Sequence, residues 1–247
     1  MKIKLFILST VWVLSGIFTS GCIVIDLNGC SAQRVKGSGN VISESRQVPE
    51  FGEIRLEGQG KVVLAQGNQS SLEVTSDDNI LPSIETTVIN GKLIISHEKG
   101  KNLKPTTLSF AITVKDLKGV SIAGSGDIMG NDEFNSAKFY ADIAGSGDIA
   151  VKVNADRLES GISGSGSISL SGSTNSHDAR ITGSGDVDAF ELQASDSSVV
   201  ITGSGNCRVN VSELLRAKIT GSGDVLYKGH PRISQSITGS GKVKDRN

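Results

Sequence analysis

Seven times in the C-terminal half a charged or polar residue follows the tripeptide Gly-Ser-Gly: Asp127, Asp148, Ser167, Asp186, Asn206, Asp224 and Lys242. Oxygen-bearing side chains at a fixed interval suit calcium, which takes six to eight oxygen ligands. Glycine–aspartate repeats hold that ion in nonapeptide β-rolls. Asp127 and Asp148 are the one pair of carboxylates on consecutive repeats, and they are the calcium candidates. The repeat is about twice as long as in such rolls, and Ser167, Asn206 and Lys242 interrupt the series. The competing role is turn formation, since short polar side chains bond nearby backbone groups.

Other chemistry finds little support. The glycines never form G-x-G-x-x-G or a Walker loop, so no phosphate cradle is expected. There is no G-x-S-x-G elbow, and the many serines read as ladder and turn residues. His97, His177 and His230 lack metal spacing, and there is no C-x-x-C. Lys99, Lys101 and Lys104 read as a solvated loop, with contact to anionic headgroups or glycans as the alternative. A polysaccharide-cutting site needs paired carboxylates and usually aromatic subsites. The chain offers two tyrosines and one tryptophan, Trp12. We therefore expect no enzyme and no cofactor.

The elements that must position these residues follow from the period. Gly-Ser-Gly begins at Gly124, Gly145, Gly164, Gly183, Gly203, Gly221 and Gly239, with steps of 21, 19, 19, 20, 18 and 18 residues. The second glycines are Gly126, Gly147, Gly166, Gly185, Gly205, Gly223 and Gly241. A regular period of this size signals a solenoid. Two residues before each first glycine stands an isoleucine, from Ile122 to Ile237. Four residues after it stands Ile128, Ile149, Ile168, Val187, Cys207, Val225 or Val243. Side chains alternate along a strand, so these residues share the inner side. Phe139, Leu158, Leu215 and Ile233 extend it as one column, into which His177 falls; Val151, Leu170, Ala189, Val209 and Tyr227 form another. The paired glycines mark a corner or a close approach of backbones. Ser38, Ser125, Ser146, Ser165, Ser184, Ser204, Ser222 and Ser240 are expected to form a hydrogen-bonded edge ladder. Cys207 takes an Ile/Val position and reads as a small buried hydrophobe. A Cys30–Cys207 disulfide is the alternative.

Upstream, Val35–Val41 and Leu56–Val62 carry the apolar-x-Gly-x-Gly-x-apolar pattern and read as degenerate early turns. Between them and Gly124 the chain reads as strands: Ser71–Thr75, Lys92–Ser96 after the turn Asn90-Gly91, and Leu108–Val114. Asp77-Asp78-Asn79 is placed to cap a helical turn that Pro82 ends. Residues 100–105 read as a basic polar loop. Val211–Ala217 is the nearest approach to a helical period.

The first 21 residues have the form of a signal peptide: Lys2 and Lys4, an apolar run from Leu5 to Phe18, then Thr19-Ser20-Gly21-Cys22. The run is short for a membrane span. Cys22 is the expected lipidation site, giving an outer-membrane lipoprotein in the bacterial envelope, facing the periplasm or the surface. The domain plan is 1–21 signal, 22–34 tether, 35–120 strand-rich section and 121–247 repeat helix. The net charge of −1 over 247 residues gives no basic footprint for nucleic acid.

This signal, together with Phe51-Gly52-Glu53-Ile54, Asp78-Asn79-Ile80-Leu81, Asp116–Val120 and the Gly-Ser-Gly-Asp repeats, resembles the auto-transporter adhesin family with a head GIN domain. The resemblance covers residues 38 to 243. It implies a right-handed, single-stranded parallel β-helix, an envelope location and an adhesive role. The expected function is thus a lipid-tethered module presenting a repetitive face to a glycan or a protein surface. A self-assembling scaffold that adds copies through its helix ends is the alternative. A polysaccharide-active enzyme comes third.

Overall fold

The computed structural model describes residues 33–247. The signal peptide, Cys22, Cys30 and most of the expected tether lie outside the described residues. The chain is a parallel β-solenoid of about seven turns. Its N-terminal elements are β1 (Gln33–Lys36), β2 (Val41–Arg46), β3 (Glu53–Gly58), β4 (Lys61–Gln66), β5 (Ser71–Asp77), β6 (Ile84–Ile89), β7 (Lys92–His97), β8 (Lys101–Lys104) and β9 (Leu108–Val114). The repeat follows as β10 (Gly119–Gly124), β11 (Asp127–Gly145), β12 (Asp148–Gly164), β13 (Ser167–Gly183), β14 (Asp186–Gly203) and β15 (Cys207–Gly221). The remaining strands are β16 (Val225–Lys228), β17 (Arg232–Gly239) and β18 (Val243–Asp245).

Register follows the sequence period. Ile122, Ile143, Ile162, Ile181, Ile201, Ile219 and Ile237 are successive partners in parallel pairs. Each turn alone cannot bury its apolar face; stacking at about 4.8 Å makes those faces continuous. Ile143, Ile162, Ile181, Ile201 and Ile219 are all at most 3% exposed. Cys207 is fully buried with a free thiol, in register between Val187 and Val225. Burial pushes that thiol far above its ordinary range.

The paired glycines do two things at once. Gly164 has φ +135°, and a Cβ there would lie 2.1 Å from the Gly145 carbonyl oxygen. A Cβ on Gly166 would lie 2.3 Å from the Gly147 carbonyl oxygen and 2.9 Å from Ile143 Cγ2. The first glycine turns the corner, and both let consecutive turns touch backbone to backbone. The serine between them is exposed. The rungs are joined there by backbone bonds, such as Ser165 N to Gly145 O at 2.9 Å. No hydrogen bond links two ladder hydroxyls among the described residues, so the expected hydroxyl ladder is replaced by a main-chain one.

The two early repeats part company. Leu56–Val62 is a true first turn: Gly58 pairs with Gly124, and Val62 with Ile128. Val35–Val41 is not a turn of the stack. β1 pairs only with β8, and β2 runs antiparallel to β5. Its glycines serve a different contact. The Gly37–Asn40 loop is clasped by the acidic segment read as a helix cap. Asp77 accepts bonds from Gly39 N and Thr106 N, both 2.7 Å. Asn79 Oδ1 accepts from Ser38 N, and Asp78 from the Ser38 hydroxyl. The short 3-10 turn Leu81–Ser83 has no side-chain cap, and Pro82 lies within it. Ser38 therefore belongs to this clasp and not to the edge ladder.

Two further expectations change. Residues 101–104 are strand β8, not loop, and Lys101 pairs with Glu98 at 2.6 Å. Val211–Ala217 lies inside β15. The strands read from sequence are found as β5, β7 and β9. Asn90 (φ 52°) and Gly91 (φ 76°) make the left-handed two-residue turn joining β6 to β7. Arg46 ties the two walls together at this end of the solenoid. Its guanidinium, largely buried, donates from β2 to Ile84 O at 2.7 Å and Leu81 O at 3.0 Å on the other wall.

Candidate ligand-binding trough

Three of the residues after Gly-Ser-Gly bond the backbone of the next turn. Asp186 Oδ1 accepts from Asn206 N at 2.8 Å, Asn206 Oδ1 from Asp224 N at 3.1 Å, and Asp224 Oδ1 from Lys242 N at 2.9 Å. Each side chain thus satisfies the backbone of the next turn, which is the turn-forming role. The Lys244 ammonium, bonded to Asp224, holds that carboxyl below its ordinary value. Asp127 and Asp148 are register neighbours. They bring two carboxylates, and no group of three metal-ligating side chains gathers among the described residues.

The opposite bend of each turn is different. Here the chain stays extended and changes direction within β11 to β15. One residue of the bend recurs in register as Asn135, Asn154, Ser173, Gln193 and Asn210. The next, Ser136, Ala155, Thr174 and Ala194, is small and increasingly buried. The third is Ala137 in the first of these turns and polar in the rest: Asp156, Asn175, Ser195 and Ser212. The small residues make a floor, and the polar ones make two walls. The result is an open trough of about 810 Å³ crossing five turns, or roughly 19 Å along the helix axis at strand spacing.

Its side chains are partly pre-set. Ser173 Oγ donates to Asn154 Oδ1 at 2.9 Å, and Asn154 Nδ2 donates to Glu133 and Asn135. Thr174 Oγ1 donates to Ser176 O at 3.0 Å, which fixes the floor. Amides and hydroxyls both donate and accept, and free capacity remains on Asn175, Gln193 and Ser195. Such a surface can hold a ligand rich in hydroxyls or amides. It contains one carboxylate, Asp156, and no nucleophile–base pair.

The sequence reading did not find this trough. The signal was present: an amide or hydroxyl stands ten residues before Gly145, Gly164, Gly183 and Gly203. It was obscured because its identity drifts among Asn, Ser and Gln, whereas the glycines never change. His177 is where the column placed it, 1% exposed between Leu158 and Ser197.

A second cavity, about 340 Å³, lies under β8. Leu56, Ile95, Leu103 and Phe110 line it, with Lys101 and Lys104 also on its wall.

These features define a parallel β-solenoid with an open polar trough. The chain belongs to the family described as putative auto-transporter adhesin, head GIN domain, whose model matches residues 50–231. It is similar to the solved structure of a putative adhesin from Bacteroides fragilis, at 25% identity and TM-score 0.82, covering 86% of this chain and 100% of that one. A putative lipid binding protein from Parabacteroides distasonis is similar at 29% identity and TM-score 0.71, covering 87% and 100%. A putative adhesin from the same species is similar at 28% identity and TM-score 0.72, with the same coverage. No curated protein matches the sequence.

Proposed function

We propose that the protein is a non-enzymatic envelope adhesin, lipid-anchored through Cys22, that holds a polyhydroxylated glycan along the trough. The observation that carries this reading is the in-register ladder of amides and hydroxyls crossing five turns. Weak contacts repeated at one spacing add up along an extended polymer. Family membership supports the adhesive part, and the sequence Thr19–Cys22 supports the anchor.

Glycan-array binding tests it. The double variant Asn154→Ala/Asn175→Ala removes two wall amides. At about 1 kcal/mol for each lost bond, affinity is expected to fall on the order of thirtyfold. Ser146→Ala/Ser165→Ala, on the exposed corner, is expected to bind as wild type. Equal losses in both variants, or no glycan retained at all, would refute the trough. Cleavage of surface-exposed protein on intact cells tests the location; full protection would favour a periplasmic role.

A second reading is favoured by the cavity under β8. Its apolar walls and the Lys104 ammonium suit a single-chain anionic amphiphile. Leu103→Asp is expected to abolish binding of a fluorescent fatty acid, while leaving glycan binding intact. Undiminished fatty-acid binding by that variant would exclude the cavity.

A further inference from the structure

The two ends of the solenoid differ. At the N-terminal end Arg46 ties one wall to the other, and Leu81 and Ile84 beneath it are 2% and 5% exposed. At the other end β17 pairs on one side only, with β15. Every residue of β17 is exposed. Ile233 and Ile237 continue the inner columns of Leu215 and Ile219, yet they are 42% and 37% exposed against 0% and 1%. An open strand edge over uncovered core is a surface for pairing with another chain.

The sequence of that edge says which chain fits. Ile233-Ser234-Gln235-Ser236-Ile237 reads the same in both directions. In an antiparallel pair centred on Gln235, Ile233 stands opposite Ile237 of the second copy, Ser234 opposite Ser236, and Gln235 opposite Gln235. Like meets like in this arrangement, and a two-fold contact must be self-complementary in this way. Cross-strand side chains then sit about 4.5–5.5 Å apart, close enough to cover both isoleucines. A two-fold axis perpendicular to β17 keeps its inner face inner, so the two β17 walls become one sheet. A head-to-tail contact would instead set β17 against β2 or β6, edges that also carry exposed apolar side chains (Val41 42%, Ile42 45%, Ile89 52%) but whose sequences do not repeat that of β17.

We propose that two copies of this chain join tail to tail, β17 pairing antiparallel with β17 of the second copy about an axis at Gln235. The contact does not depend on the glycan reading. It would give that reading a bivalent particle, with gain in avidity.

Light scattering of the full chain over a dilution series is the test. A monomer–dimer equilibrium is expected, and Ile233→Lys/Ile237→Lys is expected to leave only monomer with an unchanged circular-dichroism spectrum. Gln235→Cys supplies an independent readout. Antiparallel partners lie about 4.5–5.5 Å apart at Cα, within the roughly 4.4–6.8 Å that a disulfide spans. Mild oxidation should therefore give a covalent dimer that the wild-type chain, with its own cysteines, does not give. A wild-type chain that stays monomeric at every concentration overturns the proposal. So does growth into larger oligomers, a dimer indifferent to the lysines, or failure of Gln235→Cys to cross-link.

Discussion

Gly164→Ala is expected to destabilise the protein by roughly 3 kcal/mol or more, a large effect for one methyl group. Two costs combine. The residue has φ +135°, where an L side chain is strained. The new Cβ also falls 2.1 Å from the Gly145 carbonyl oxygen, a backbone atom that cannot swing aside. Relief requires parting β12 from the turn before it, which removes bonds such as Ser165 N to Gly145 O. Ser165→Ala, one residue on, removes only an exposed hydroxyl and should change stability by less than about 0.5 kcal/mol. Urea unfolding of both variants decides the matter. Equal midpoints would mean that the corner can relax, and that the repeat is kept for another reason.

Stability should also fall between pH 6.5 and pH 4 because of His177. The ring is buried, and burial pulls its pKa down from 6.5 to about 4. Its Nε2 lies 2.9 Å from the Ser160 hydroxyl, while Nδ1 and the neighbouring Ser197 hydroxyl have no partner among the described residues. Between those two values the unfolded chain binds a proton that the folded chain refuses. The proton-linked penalty is absent well above pH 6.5 and grows as pH falls until the folded ring protonates near 4. At about 1.4 kcal/mol per pH unit the total is roughly 3 kcal/mol. His177→Leu matches Leu158 and Leu215 in the same column. It should melt at least as high as wild type at pH 7 and should lose this component of the acid sensitivity. Parallel melting curves for the two proteins from pH 7 to 4 would show that His177 is not the titrating group.

The fold was legible because the solenoid repeats its demands. Ile143, Ile162 and Ile181 meet the same packing problem at the same step, so one turn read correctly predicts the next. The inner columns through Phe139 and Val151 followed from parity alone. Reading failed where one pattern served two purposes. Gly37-Ser38-Gly39 has the spacing of a corner, but Gly37 makes room for Asp77, a partner forty residues away, while Gly39 supplies a left-handed φ of +86°. No local pattern reveals that contact. The clasp also explains why Asp77-Asp78-Asn79 looked like a helix cap, since the same side-chain acceptors bond any free N–H groups. The basic stretch Lys101–Lys104 looked like a loop because β8 is short and its partner β1 is distant in sequence.

The trough was harder still. A binding ladder needs hydrogen-bonding capacity at each turn, not one residue type, so Asn154, Ser173 and Gln193 are equivalent in role and dissimilar in letter. The Asp column divides. Asp186, Asn206 and Asp224 spend oxygens on the next turn's backbone, the turn-forming role, whereas Asp127 and Asp148 stand side by side in register.

The central claim is that ligand is held at this bend and not at the Gly-Ser-Gly corner. Amide hydrogen exchange with and without a glycan retained on the array tests it most directly. Slowed exchange confined to residues 135–137, 154–156, 173–175 and 193–195 is the expected result. Slowed exchange at Ser146, Ser165 and Ser184, with none at the bend, would contradict the account.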